Sequence, residues 1–255
     1  MNQHFYISKE DKQELGLFGD TICIISNAIL TSKKLREPVH LYSENLPWDG
    51  WPKRWYEFLE LAIDGEGVIL ESNCKIPSEA QRITSELKIL ENKESPYFKI
   101  NWDIVNERAV PPKEIDYSNY ICWSRRPRRM ESLPKFIKNK YKKYKFINLA
   151  DDRGRNVHGL QRKFNLYTTI WMMNACHRYI GIDSGGIHLA GCALPSSKIS
   201  IIPDPSMYRY GRVPNWNGIF YDAMGYRVEL PLLDQDYHYG FLQKAPLPDK
   251  VHHQW

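Results

Sequence analysis

The segment that most constrains the fold is an apolar strand followed by a glycine turn and a helix. It reads YIGIDSGGIHLAGCAL, from Tyr179 to Leu194. We predict a strand over residues 179–182, a turn over 183–186 and a helix over 187–194. In open α/β sheets ligands bind at the carboxyl ends of strands, where such turns lie. The segment therefore predicts an α/β fold with a ligand site at this turn.

The residues of this turn suit an anionic ligand. Gly185 and Gly186 let a phosphate approach the backbone, and the N–H groups of the helix's first turn favour an anion. Asp183 and Ser184 precede them, and His188 lies one turn into the helix, where it can also reach a ligand. The alternative is a tight structural turn with Ser184 as the helix N-cap. Both interpretations remain open on the turn alone.

Strands alternate with helices along most of the chain, which favours parallel sheets flanked by helices. The predicted strands cover residues 4–8, 39–42, 68–70, 120–123, 146–149, 179–182 and 199–202. The predicted helices run from Gly16 to about Arg36 and over 53–63, 79–90, 167–177 and 187–194.

The best linker is Val110-Pro111-Pro112-Lys113, because two prolines continue neither a helix nor a central strand. We place a domain boundary there. The chain is then predicted to form two Rossmann-like domains, residues 1–112 and 113–255.

A second motif, GLFGD, runs from Gly16 to Asp20. Gly16 and Gly19 loosen the loop, and Asp20 stands at the start of the predicted helix. A general base at the edge of a cleft is one interpretation of Asp20. An N-cap that interacts with the helix dipole is the other, and the local sequence does not decide between them.

The chain also has a strongly basic segment. Between Arg125 and Lys145 lie ten Lys and Arg residues against one acid, Glu131. Guanidinium groups match phosphate oxygens in geometry, so we predict that Ser124, Arg125 and Arg126 meet the same ligand as the glycine turn. The lysines are predicted to form a solvated face. Asp151 follows another strand and is placed either to meet a nucleoside or to cap a loop.

Composition narrows the class of protein further. The 5 cysteines show no paired metal-ligand spacing, which indicates buried thiols in a reducing compartment. No apolar run approaches the roughly 18 residues of a membrane span. The formal net charge is +5, which suits anionic ligands without naming one. We therefore predict a cytoplasmic protein with neither a membrane span nor a metal site, from a bacterium or a phage-infected cell.

Together these motifs resemble the heptosyltransferase group of glycosyltransferases, family 9. That group has a glycine-rich loop and a Gly-Asp pair at the start of a helix, which Gly16–Asp20 resembles. It also has an Asp-(Thr or Ser)-Gly turn followed by His-Leu-Ala, which Asp183–Ala190 resembles. The resemblance implies the GT-B fold, in which two Rossmann-like domains face a cleft, here with a shortened first domain. It also implies an inverting enzyme that transfers a hexosyl, heptosyl or pentosyl group without a metal or other cofactor.

The resemblance also implies roles for individual residues. Asp20 would deprotonate the acceptor hydroxyl. Asp183, Ser184, Gly185, Gly186 and His188 would hold the diphosphate of an ADP- or UDP-linked sugar. Arg125 or Arg126 would neutralise the departing diphosphate, and Asp151 would lie near the nucleoside.

The chain departs from the group's pattern in three places. The first domain is short, and the connection from the first strand to Gly16 is longer than in the group. Trp123–Arg129 replaces the group's lysine-containing motif. The acceptor therefore stays open between a glycan, such as lipopolysaccharide core, and a hydroxymethylated base in DNA, as in phage DNA modification. A non-catalytic module that only binds a nucleotide sugar is the alternative from another class, and a sugar-nucleotide epimerase or hydrolase is a third. The oligomeric state is not indicated.

Overall fold

A computed structural model describes most of the chain as an α/β protein with two parallel sheets. The described residues are 3–7, 18–43, 53–72, 74–85, 87, 95–113, 115–124, 132–149, 164–182, 184–202 and 224–229. None of the helices in these ranges is both long enough and apolar enough to cross a membrane.

The first sheet has the strand order β3-β2-β1-β4, and all its pairings are parallel. Its strands are β1 (Gln3–Ile7), β2 (Val39–Ser43), β3 (Val68–Glu71) and β4 (Gln81–Arg82). Helix α1 (Phe18–Leu35) connects β1 to β2, and α2 (Lys53–Leu61) lies between β2 and β3. Alternate strand residues such as Ile7, Val39 and Leu41 are fully buried in the same core as α1.

The second sheet has the order β6-β5-β7-β8-β9, again with parallel pairings. Its strands are β5 (Tyr120–Trp123), β6 (Lys145–Asn148), β7 (Arg178–Gly181), β8 (Ile199–Ile201) and β9 (Arg227–Val228). The helices of this half are α4 (Lys135–Lys140), α5 (Leu166–Ala175) and α6 (Gly185–Ala193).

The two faces of the second sheet belong to different hydrophobic cores. Successive side chains of a strand point to opposite faces. Tyr179 joins the core that contains α5 and α6, whereas Ile180 packs with Ile137 of α4 in a smaller core. The second sheet is therefore covered on both faces, as expected for a parallel sheet.

The larger core is continuous between the two halves of the chain. Helix α1 of the first half packs on α6 of the second, and α3 (Trp102–Arg108) packs on α5. Along the chain, the predicted linker follows the first sheet and precedes the second. The backbone N–H of Val110 donates to Thr168 Oγ1 at 2.8 Å. The domain boundary at residue 112 stays a prediction.

The helix predicted over residues 79–90 is wrong at its start. Gln81 and Arg82 instead form β4, which pairs with β1, and the N–H of Ile83 donates to the carbonyl of Tyr6. Ile83, Ser85 and Leu87 are all buried, which is the two-residue period of an extended segment. Glu79, Arg82 and Glu86 are spaced three and four residues apart, as on one face of a helix, which led to the helix prediction.

The sequence prediction also missed α3 and β9. The side chain of Asn101 caps α3 by accepting from the N–H of Asp103 at 3.1 Å, a signal that was present in the sequence. With only two residues, β9 is too short for a recognisable pattern.

Candidate functional site

The second sheet reverses its strand order between β5 and β7, since β6 lies on the far side of β5. Ser124 follows β5, and Ser184 precedes α6 just beyond the end of β7. Both serines are buried. A crevice at the carboxyl ends of strands forms where the order reverses, and ligands of open α/β sheets bind there. Ser124 and Ser184 therefore flank the expected ligand position of this sheet.

The amino end of α1 contacts the amino end of α6. A methyl group on Gly19 would lie 2.9 Å from Cδ2 of His188 and 3.3 Å from Cα of Gly185. In the opposite direction, a methyl group on Gly185 would overlap the Phe18 ring and lie 3.0 Å from the Gly19 nitrogen. The two glycine motifs, 166 residues apart between Gly19 and Gly185, thus meet at one point. We call this contact the helix junction.

Asp20 lies at the helix junction, in the first turn of α1. It is the third residue of the helix and is only 1% exposed. The N-cap interpretation is wrong in position, because the helix already begins at Phe18. A carboxylate in a first turn still interacts favourably with the helix dipole. The structure therefore leaves both a helix-stabilising and a chemical role open to Asp20.

Ser184 occupies the N-cap position of α6, but its side chain does not cap the helix. The hydroxyl donates to the Ile182 carbonyl at 3.1 Å instead. The Ser184 carbonyl accepts from the N–H groups of Ile187 and His188. Side-chain capping therefore does not explain this serine. The first amides of α6, at Gly185 and Gly186, are among those that a helix leaves without intrahelical partners.

His188 links the two halves of the chain. Its ring is 1% exposed, and a hydrogen bond of 2.8 Å joins Nδ1 to the hydroxyl of Tyr97. Cys23 Sγ of α1 lies 3.6 Å from the same nitrogen. The ring edge faces Gly19, so the imidazole forms part of the helix junction. No local pattern singled out Tyr97, which is 91 residues from His188.

The Tyr179 side chain packs against Gly181 and Gly186. A methyl group on Gly181 would lie 2.9 Å from its hydroxyl oxygen, and one on Gly186 would overlap that oxygen. The side chain is fully buried. Burial raises the pKa of Tyr179, although the nearby Ser124 hydroxyl opposes the shift. Gly186 is therefore required for packing whether or not a ligand binds.

We expect Gly186→Ala to destabilise the protein by about 1–3 kcal/mol, the usual effect of overpacking. In a Tyr179→Phe background the same change should cost less than about 1 kcal/mol, because the next atom, Ser124 Oγ, is 3.3 Å away. Urea unfolding of the four proteins of this double-mutant cycle measures the coupling. An equal effect of Gly186→Ala in both backgrounds would contradict the assignment to Tyr179.

The remaining residues predicted for the site lie outside the described ranges. They are Gly16, Arg125, Arg126, Asp151 and Asp183. Within those ranges no group of three or more His, Cys, Asp and Glu side chains is arranged to hold a metal ion. The structure thus brings together Gly19, Asp20, Gly185 and His188, with Ser124, Ser184 and Gly186 beside them.

Comparison of the chain with models of protein families, with curated proteins and with solved structures gives no match.

Proposed function

We propose that the protein is an inverting glycosyltransferase of the GT-B type. It binds a nucleoside diphosphate sugar at the helix junction and transfers the sugar to an acceptor hydroxyl. The observation that supports this most is the contact between the amino end of α1, which carries Asp20, and Gly185, the first residue of α6. This contact supports the proposal because it brings the first turn of α1 close to the amino end of α6, where the ligand of the second sheet is expected.

The diphosphate is the part of the donor that these residues suit best. Amides at the start of α6 and the positive end of its dipole favour phosphate oxygens. The amino end of α1 adds a second dipole of the same sign at the same point. The hydroxyl of Ser124 supplies a further polar group beside the switch in strand order.

In the proposed reaction Asp20 takes the proton from the acceptor hydroxyl. The acceptor oxygen forms a bond to the anomeric carbon while the bond from that carbon to the diphosphate oxygen breaks. Attack on the face opposite the leaving group inverts the anomeric centre, and the electron pair leaves with the nucleoside diphosphate. The amides at the start of α6 stabilise the charge that develops on it, which is an electrostatic contribution to the rate.

Nucleotide binding tests the first half of this proposal. We expect calorimetry with ADP, UDP and GDP to detect binding of one nucleotide by the parent protein. Ser124→Ala should weaken that binding about fivefold, the effect of one lost hydrogen bond, and Asp183→Ala should weaken it further. The matched control is Ser118→Ala, which removes an exposed hydroxyl before β5, at the opposite edge of the same sheet.

The control should leave the affinity unchanged. If the parent protein binds none of the three nucleotides, the glycine turn is structural and the glycosyltransferase proposal fails. If Ser118→Ala weakens binding as much as Ser124→Ala does, the ligand is not at the switch in strand order.

A further inference from the structure

A second charged region lies at the amino ends of the strands of the second sheet, opposite Ser124 and Ser184. Lys142 and Lys143 lie between α4 and β6, and Lys145 begins β6. Lys145 pairs in register with Tyr120, and Ile121 pairs with Arg178 of the next strand. Because the strands are parallel, their amino ends share one edge.

We call this region the amino-edge patch. It consists of Lys142, Lys143, Tyr144, Lys145 and His177. The three lysines and His177 are exposed, and Tyr144 is half-buried.

The lysines of the patch are not used in ion pairs within the described part of the chain. No described carboxylate lies within salt-bridge distance of Lys142, Lys143 or Lys145. Some cations elsewhere are paired, as in Lys33–Asp64 at 2.7 Å and Arg108–Glu60 at 2.6 Å.

Two acids, Glu114 and Asp116, precede β5 in the sequence, and the carboxylate of Asp116 accepts hydrogen bonds from Ser118 and Asn119. By contrast, residues 132–149 contain six lysines and no acid. The patch is therefore a concentration of uncompensated positive charge.

Aromatic rings lie among these lysines. Tyr144 and His177 stack with centroids 4.2 Å apart and an interplanar angle of 15°. Lys143 Nζ lies 5.0 Å from the centre of the Tyr144 ring. Since His177 is exposed and Tyr144 is half-buried, the stack ends at the surface with His177. Desolvation, followed by the charges of Arg178, Lys143 and Lys198, lowers the pKa of His177 and so favours the neutral ring.

We propose that the amino-edge patch binds single-stranded nucleic acid. The lysines contact successive phosphates, and a base stacks on the exposed ring of His177. Positive grooves combined with aromatic rings bind single strands in this way without reading their sequence. Nucleic acid fits better than a lipid surface, because the large exposed apolar side chains of the described residues all lie elsewhere. They are Leu35, Tyr56, Ile63, Ile69 and Val110.

The patch and the helix junction lie at opposite edges of the second sheet. The base that stacks on His177 is therefore not the one presented to Asp20. The proposal adds a docking function and does not depend on the glycosyltransferase proposal.

Fluorescence anisotropy with a labelled oligothymidylate of about 20 nucleotides, at about 50 and about 200 mM salt, tests this proposal. The test variant is Lys142→Glu/Lys143→Glu/Lys145→Glu. We expect it to bind at least about tenfold more weakly than the parent at the lower salt concentration. The slope of log affinity against log salt concentration should be less steep by about 2, since each lost phosphate contact removes about 0.7 from that slope.

The matched control is Lys34→Glu/Lys75→Glu/Lys99→Glu, which makes the same change in net charge at exposed positions of the first half. It should bind within about threefold of the parent, a range that covers the effect of the lower net charge on the association rate. His177→Ala should weaken binding about fivefold without changing the salt slope, because stacking releases no counterions. Circular dichroism confirms that each variant is folded.

Three results would overturn the proposal. One is equal weakening by the patch variant and the control variant. Another is no binding of the oligonucleotide by the parent protein. The third is binding to vesicles of phosphatidylglycerol without binding to the oligonucleotide, which would identify the patch as a membrane contact.

Discussion

Asp20→Asn will lower the rate of sugar transfer by about 10²–10⁴-fold, the range of a general base. The amide keeps the size of the side chain but cannot accept the acceptor's proton. Nucleotide affinity should stay within about threefold of the parent, because the diphosphate is held by groups around α6. The measurement is release of nucleoside diphosphate from the sugar nucleotide whose base binds, with a panel of saccharide acceptors.

Asp103→Asn is the matched control for Asp20. Asp103 also lies in the first turn of a helix, α3, but it is exposed and remote from the helix junction. If Asp20 acts only on its helix dipole, both variants should lose about 0.3–1 kcal/mol of stability and retain turnover. If Asp20→Asn keeps the rate of nucleoside diphosphate release within a few-fold of the parent, Asp20 is not the general base. The protein would then be better described as a nucleotide-binding module without catalysis.

Glu229→Ala will destabilise the protein by about 3 kcal/mol, because it removes one member of a buried ionic network. Glu229 is fully buried beyond the end of β9. Lys140 Nζ lies 2.6 Å from its carboxylate, and Tyr141 and Ser200 also donate to it. These bonds tie α4 to β8, so their loss loosens one face of the second sheet. Urea unfolding gives the change in free energy.

The matched control is Glu60→Ala. Glu60 pairs with Arg108 at the same distance, 2.6 Å, but both side chains are about two-fifths exposed. An exposed pair of this kind contributes less than about 1 kcal/mol. If the two alanine variants lose the same stability, burial does not decide the strength of the Glu229 network.

Lowering the pH should decrease the stability of the parent protein, because Glu229 becomes protonated. Burial alone would raise the pKa of Glu229, but the hydrogen bonds from Lys140 and Tyr141 outweigh it and lower the pKa. A lowered folded-state pKa gives stability that is present above the unfolded value of about 4.3. That stability is lost as the pH falls through the folded pKa.

The network favours the charged carboxylate for a further reason. Burial and the hydrogen bond to Glu229 raise the pKa of Tyr141 to about 12, so its hydroxyl stays a donor. As the pH is lowered from about 7 to about 3, the free energy of unfolding should decrease less steeply for Glu229→Ala than for the parent. Parallel pH profiles would contradict this account.

Local patterns alone were enough to predict the alternation of strands and helices. β5 was predicted with its observed bounds, and α5 and β7 were predicted to within two residues. Each combines an apolar run with nearby turn residues, so its structure depends on neighbours in sequence. The segment around Gln81 failed because its pairing partner, β1, lies some 75 residues away and sheet register is not a local property.

Local sequence patterns were sufficient to predict the α/β class and the strand and helix on either side of Asp183, because chain geometry and side-chain period act over a few residues. The helix begins at Gly185, two residues before its predicted start. The contact of Gly19 with Gly185, the bond between Tyr97 and His188 and the link from Glu229 to α4 depend on the tertiary structure. These contacts link distant segments through the packing of two sheets and their helices. Side-chain complementarity in three dimensions specifies them, and no periodicity along the chain reports it.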